Sequence, residues 1–68
     1  MSDVEKNMDI QRLKIKEYLA EKKWTNATLV RLTGYNKSDV SNIMSGKMYG
    51  TPYVNNFITM VCEAYGIK

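Results

Sequence analysis

The 68-residue chain has no histidine, one cysteine, one proline and no apolar run approaching the roughly 20 residues that cross a bilayer. Each absence removes a class of function. Without histidine, the side chain that most often moves protons near neutral pH is gone. No carboxylate pair that must share a pocket and no Gly-rich phosphate loop of known spacing takes its place. Cys62 alone cannot close an internal disulfide, and no cluster of thiolate and carboxylate ligands is spaced to hold a metal. The expectation is therefore no enzyme, no cofactor, no small-molecule ligand and no membrane insertion. The opening MSDVEKNMD lacks the charged-then-apolar pattern of a signal peptide, so a reducing bacterial cytoplasm or nucleoid is the expected location. No internal repeat or low-complexity tract is present. A chain this short makes one domain with a single layer of helix packing.

What is there centres on residues 25–47, TNATLVRLTGYNKSDVSNIMSGK. Thr25 and Asn26 carry side chains able to accept from the free N–H groups of a helix start, and Leu29, Val30 and Leu32 supply its apolar residues. Gly34 ends that helix, because glycine enters the left-handed conformation at least steric cost. Tyr35 anchors the short turn. Asn36 followed by Asp39 is an N-cap with an acid at the third helical position, so a second helix starts at once. On it Val40, Ile43 and Met44 form the buried stripe, leaving Lys37, Ser38, Ser41, Asn42 and Ser45 facing outward. Two short helices joined by so tight a turn make a helix-turn-helix, whose second helix fits the DNA major groove.

The flanks support this pair. Residues 1–9 read as a flexible acidic tail, and residues 10–68 as the domain. A first helix is expected from Asp9 to about Lys23, with Ile15, Tyr18 and Leu19 on its core face. Trp24 is expected as a core plug, base stacking being the functional alternative. After a loop at residues 46–51, Pro52 opens a last helix with Val54, Phe57, Ile58, Val61, Cys62 and Tyr65 as one apolar stripe. Gly66 ends it, with Ile67 folding back. Met48, Met60 and Ile67 are the apolar residues expected at the surface.

Charge is uneven along the chain. Asp3, Glu5 and Asp9 against Lys6 leave residues 1–9 at −2, whereas residues 10–51 set eight cations against Glu17, Glu21 and Asp39 and reach +5. The positive charge thus travels with the helix-turn-helix, as a polyanion-binding surface requires. Lys14, Lys16 and Lys22 are more simply a solvated helix face.

Leu29-Val30-Arg31-Leu32-Thr33-Gly34, Tyr35, Asn36, Val40, Ile43 and Gly46-Lys47 carry a specific likeness. In their order and spacing they resemble the helix-turn-helix of the phage repressor and Cro family, the xenobiotic-response-element type of regulator. Val61 to Ile67 is similar to that family's closing helix. Val30 stands where the family usually has alanine, and the loop from Met48 to Thr51 is longer than its common form.

The resemblance implies an all-α, lambda-repressor-like domain of four helices, or five. It further implies a small sequence-specific regulator, a Cro or immunity-type repressor, that places residues 37–45 in the major groove of a palindromic double-stranded operator as a homodimer. Lys37, Ser38, Ser41 and Asn42 match positions that reach base edges. Thr25, Asn26, Asn36, Ser45 and Lys47 match positions on the DNA backbone, and Tyr49 is a further candidate there beside a purely packing role. Asp39 sits awkwardly near phosphates, and its expected role is structural, at the helix cap. The alternative function is a helix-turn-helix module that binds protein, as an antitoxin or an inhibitor of host defence would.

Overall fold

A computed structural model describes residues 3–67, and among these the chain is all helical: α1 (Asp3–Lys22), α2 (Asn26–Thr33), α3 (Lys37–Ser45) and α4 (Pro52–Tyr65). The four-helix expectation is met. The first helix starts at Asp3, six residues ahead of the expected Asp9. Nothing in residues 3–9 breaks a helix, and Met8 packs on the core, which anchors the added turns. The helix ends at Lys23, whose φ of 60° is the one left-handed value at a non-glycine position among the described residues.

Each later helix is bounded by the residue its sequence assigns. Gly34, Gly46 and Gly66 close α2, α3 and α4 in the left-handed conformation. The Gly34 N–H donates to the Val30 carbonyl at 2.9 Å, and the Thr33 hydroxyl donates to the Leu29 carbonyl at 2.8 Å while accepting from the Tyr35 N–H. These bonds lock the turn between α2 and α3. Thr51 accepts from the Val54 N–H at the start of α4, where Pro52 occupies the first turn. At the far end the Ile67 N–H returns to the Cys62 carbonyl at 2.9 Å, as expected for a helix closed by Gly66.

The core is a single cluster: Ile15 and Leu19 of α1, Leu29 of α2, Val40, Ile43 and Met44 of α3, and the α4 stripe Val54, Phe57, Ile58, Val61 and Cys62. It contains no buried polar residue among those described. Three expectations about burial are corrected. Trp24 is no core plug: it is 42% exposed and packs edge-on to Tyr18 at 5.9 Å and against Tyr65 at 5.7 Å. With the stacked Tyr18–Tyr65 pair these rings form a half-buried aromatic group outside the aliphatic core, because the small core is already filled. Met48 and Ile67, expected at the surface, lie partly buried against the core. Met60 is outward as expected, and the other exposed large apolar residues among those described are Ile10, Leu13, Trp24, Leu32, Tyr49 and Tyr53.

Candidate nucleic-acid interface

The start of α3 is held by a set of hydrogen bonds that converge on Asp39. The Asp39 N–H donates to Asn36 Oδ1 at 2.8 Å, and Asn36 Nδ2 returns to Asp39 Oδ2 at 3.0 Å, closing a reciprocal cap. The Tyr53 hydroxyl of α4 donates to the same Oδ2 at 2.6 Å. Its ring stacks on Tyr35 at 4.4 Å, and the Tyr35 hydroxyl donates to the Tyr53 carbonyl at 2.7 Å. Donation to the Asp39 carboxylate, with lesser help from desolvation, pushes the Tyr53 pKa up to about 12, since ionisation would break that bond and set two anions together.

The other end of α3 is held differently. Gly46 turns the chain, and the N–H groups of Lys47 and Met48 both donate to the Asn42 carbonyl, at 2.9 and 3.1 Å. Arg12 reaches across from α1 and donates from Nη1 to the Met44 carbonyl at 3.3 Å, with Asp9 beside its guanidinium at 3.9 Å. A cation at the negative end of a helix is favourable, and here it fixes α3 to α1 as well. An added Cβ at Gly46 would meet the Arg12 guanidinium at 3.5 Å, so the loop lies flat on that side chain.

Between these two fastenings α3 presents Lys37, Ser38, Ser41 and Ser45 as exposed residues and Asn42 as half-buried. Ser45 donates its hydroxyl to the Asn42 carbonyl at 3.1 Å. Asn26 of α2 joins Ser41 and Ser45 along a shallow groove of about 390 Å³ that also takes in Lys16 and Trp24. Thr25 precedes α2 in an extended conformation with no side-chain cap bond, and it is exposed. Lys47 is exposed on the loop. Tyr49 is 69% exposed and borders a separate groove of about 260 Å³ between α1, the loop and α4. It stands apart from the α2–α3 surface groove. Asn36 belongs with the cap, both its amide groups being engaged there.

The family model for the Cro/C1-type HTH DNA-binding domain matches residues 14–68. The chain belongs to that family. No curated protein and no solved structure matches the chain. As a Cro/C1-type domain it has the fold of DNA-binding regulators, which is not typically enzymatic. Among its described residues no group of His, Cys, Asp and Glu side chains could hold a metal ion, and no helix is long and apolar enough to cross a membrane.

Two residues of this Cro/C1-type domain escaped sequence reasoning. Arg12 lies three residues before Ile15 and seven before Leu19, on the core-facing stripe of α1. A charged residue on such a stripe needs a partner, and that signal was readable. Tyr53 gave no comparable signal, because its partner Asp39 is 14 residues away on another helix. Arg12 lies two residues before the stretch that matches the family, on the same continuous helix α1.

Proposed function

We propose that this protein is a small sequence-specific regulator of transcription, of the phage Cro or immunity-repressor kind, that inserts α3 into the major groove of a palindromic operator as a homodimer. The carrying observation is the outer face of α3. It is a short helix fixed at both ends by other elements, with small, polar, exposed side chains between the fixed points. Such a face enters a groove about 12 Å wide without steric obstruction, and its rigidity limits the entropy lost on docking.

Lys37 and Ser38, in the first turn, reach base edges, Lys37 donating to guanine O6 or N7. Ser41 and Asn42 read further along, Asn42 having the donor and acceptor that adenine requires. Thr25, Asn26, Ser45 and Lys47 hold backbone phosphates on either side. The unspent Thr25 hydroxyl and the groove shared by Asn26, Ser41 and Ser45 support that assignment. Lys16 and Trp24, on the same groove, extend the phosphate-facing surface. Asn36 contributes through the cap it forms, and Tyr49 contacts the backbone from the loop, where its exposure favours a partner over packing.

The test is selection of bound duplexes from a random DNA library, then titration of the recovered duplex and a scrambled control at two salt concentrations. The expected result is a palindrome with half-sites about 10 base pairs apart and a preference of roughly 10³ or more. No enriched motif, with binding to both duplexes lost together as salt rises, would overturn the reading. A salt-insensitive complex with a protein would replace it by the protein-binding alternative.

A further inference from the structure

Asp39 is the only acid on α3 and sits at its third position, one residue from Ser38 and two from Lys37. A free carboxylate there would repel phosphates. Aspartate has several staggered rotamers, and some of them would carry the carboxylate outward from the helix surface. Two donors oppose this by meeting at Oδ2. Asn36 stands at the start of the same helix and moves with it. Tyr53 comes from α4 and is itself immobilised by its stack on Tyr35 and by the Tyr35 hydroxyl on its carbonyl, while the Tyr35 ring lies 5.0 Å from buried Phe57. Tyr53 is 42% exposed and is no part of the buried core. What it offers is an anchored hydroxyl aimed at Asp39.

We propose that Tyr53 is a positioning residue for DNA recognition: it tethers the Asp39 carboxylate against α4 and so keeps the one acid of the recognition helix out of the groove. This rests on the DNA-binding reading above. The tether acts through charge placement, which separates it from a general role in folding. Removing the hydroxyl takes away the shorter of the two bonds at Oδ2 and leaves the carboxylate held by the exposed Asn36 amide alone, and removing the charge makes the hydroxyl dispensable.

The experiment compares Tyr53→Phe, Asp39→Asn and the double variant with the wild type, using a short fluorescent duplex that carries the motif selected by the wild type. A scrambled duplex serves as control, and thermal unfolding of each variant is followed alongside. Tyr53→Phe keeps the stack and is expected to weaken binding by about fivefold, the effect of one carboxylate brought to ~4 Å of a phosphate in water. That loss should shrink as salt is raised. Asp39→Asn should bind within about twofold of wild type, because a tethered acid already lies off the groove. The double variant should bind like Asp39→Asn. Equal binding by Tyr53→Phe and wild type would overturn the proposal, as would an undiminished loss in the Asp39→Asn background. Should Tyr53→Phe unfold, Asp39→Asn decides alone: a marked rise in affinity would mean the acid faces the phosphates despite the tether. A wild type that selects no motif defeats the DNA-binding reading itself, which is a different failure.

Discussion

Helices α2 and α3 begin with the same kind of residue and use it in opposite ways. Asn36 accepts from the Asp39 N–H, and its amide is consumed by the helix it starts. Thr25 occupies the equivalent place before α2, in the same extended conformation, and its hydroxyl makes no cap bond. One start is closed inward and the other is left open. On the proposed reading, the difference teaches where stability and binding are separated in this fold: α3 holds its shape before it meets DNA, while α2 leaves donors for a phosphate.

The comparison can be broken from several directions. Phe57→Ala empties the centre against which both helices pack, and about 3–5 kcal/mol is expected to be lost, enough to unfold a domain of this size in a urea titration. A folded variant with a midpoint close to wild type would contradict the single-core description. Lys37→Ala is expected to cost about 1–3 kcal/mol of discrimination at one base position, seen by titrating duplexes altered there. Lys47→Ala should instead weaken all duplexes and lower the salt slope by about 1. Thr25→Ala should weaken every duplex by about 1.5 kcal/mol while its unfolding midpoint stays near wild type, because no cap is lost. Asn36→Ala should do the reverse in the absence of DNA, lowering stability by about 1 kcal/mol in thermal unfolding. If Thr25→Ala destabilised the free protein as much as Asn36→Ala, the open start would be refuted.

The smallest effect lies at high pH. Tyr53 is raised from 10.0 to about 12 in the folded protein. The unfolded chain therefore releases that proton first. The stabilising contribution of the Tyr53–Asp39 bond is present in full below pH 10 and disappears as pH rises through about 12. Ultraviolet absorbance of tyrosinate during an alkaline titration should show one tyrosine ionising late, and Asp39→Asn should bring it back toward the others.

Local chemistry was readable in the residues. Asn36 with Asp39, Gly34, Gly46, Pro52 and Gly66 mark helix ends through bonds that span at most a few positions, and the stripes of α3 and α4 follow from helical spacing. What was not legible depends on which surfaces meet. The size of Trp24 points to the core, yet Phe57 and the aliphatic side chains fill that core and Trp24 is 42% exposed. Tyr53 and Arg12 act across 14 and 32 residues, and no periodicity encodes such pairings. The acidic opening reads as a tail by composition, whereas Met8 has a place on the core and α1 starts at Asp3. Of the candidate site, the outward residues of α3 were identifiable individually. The local cap of Asn36 and Asp39 was legible too, whereas the fastenings from Tyr53 and Arg12 on other helices were not.

Cys62 gives the molecule an internal clock. It is the only thiol, it is 5% exposed, and burial pushes its pKa up, with Lys14 pulling the other way. A thiol reagent therefore reads how often the α4 seam opens, and not how reactive the sulfur is in its resting place. Any duplex that binds only the folded form must slow that labelling in proportion to its occupancy. Binding, packing and stability thus become measurable on one atom, without a tag and without altering a residue.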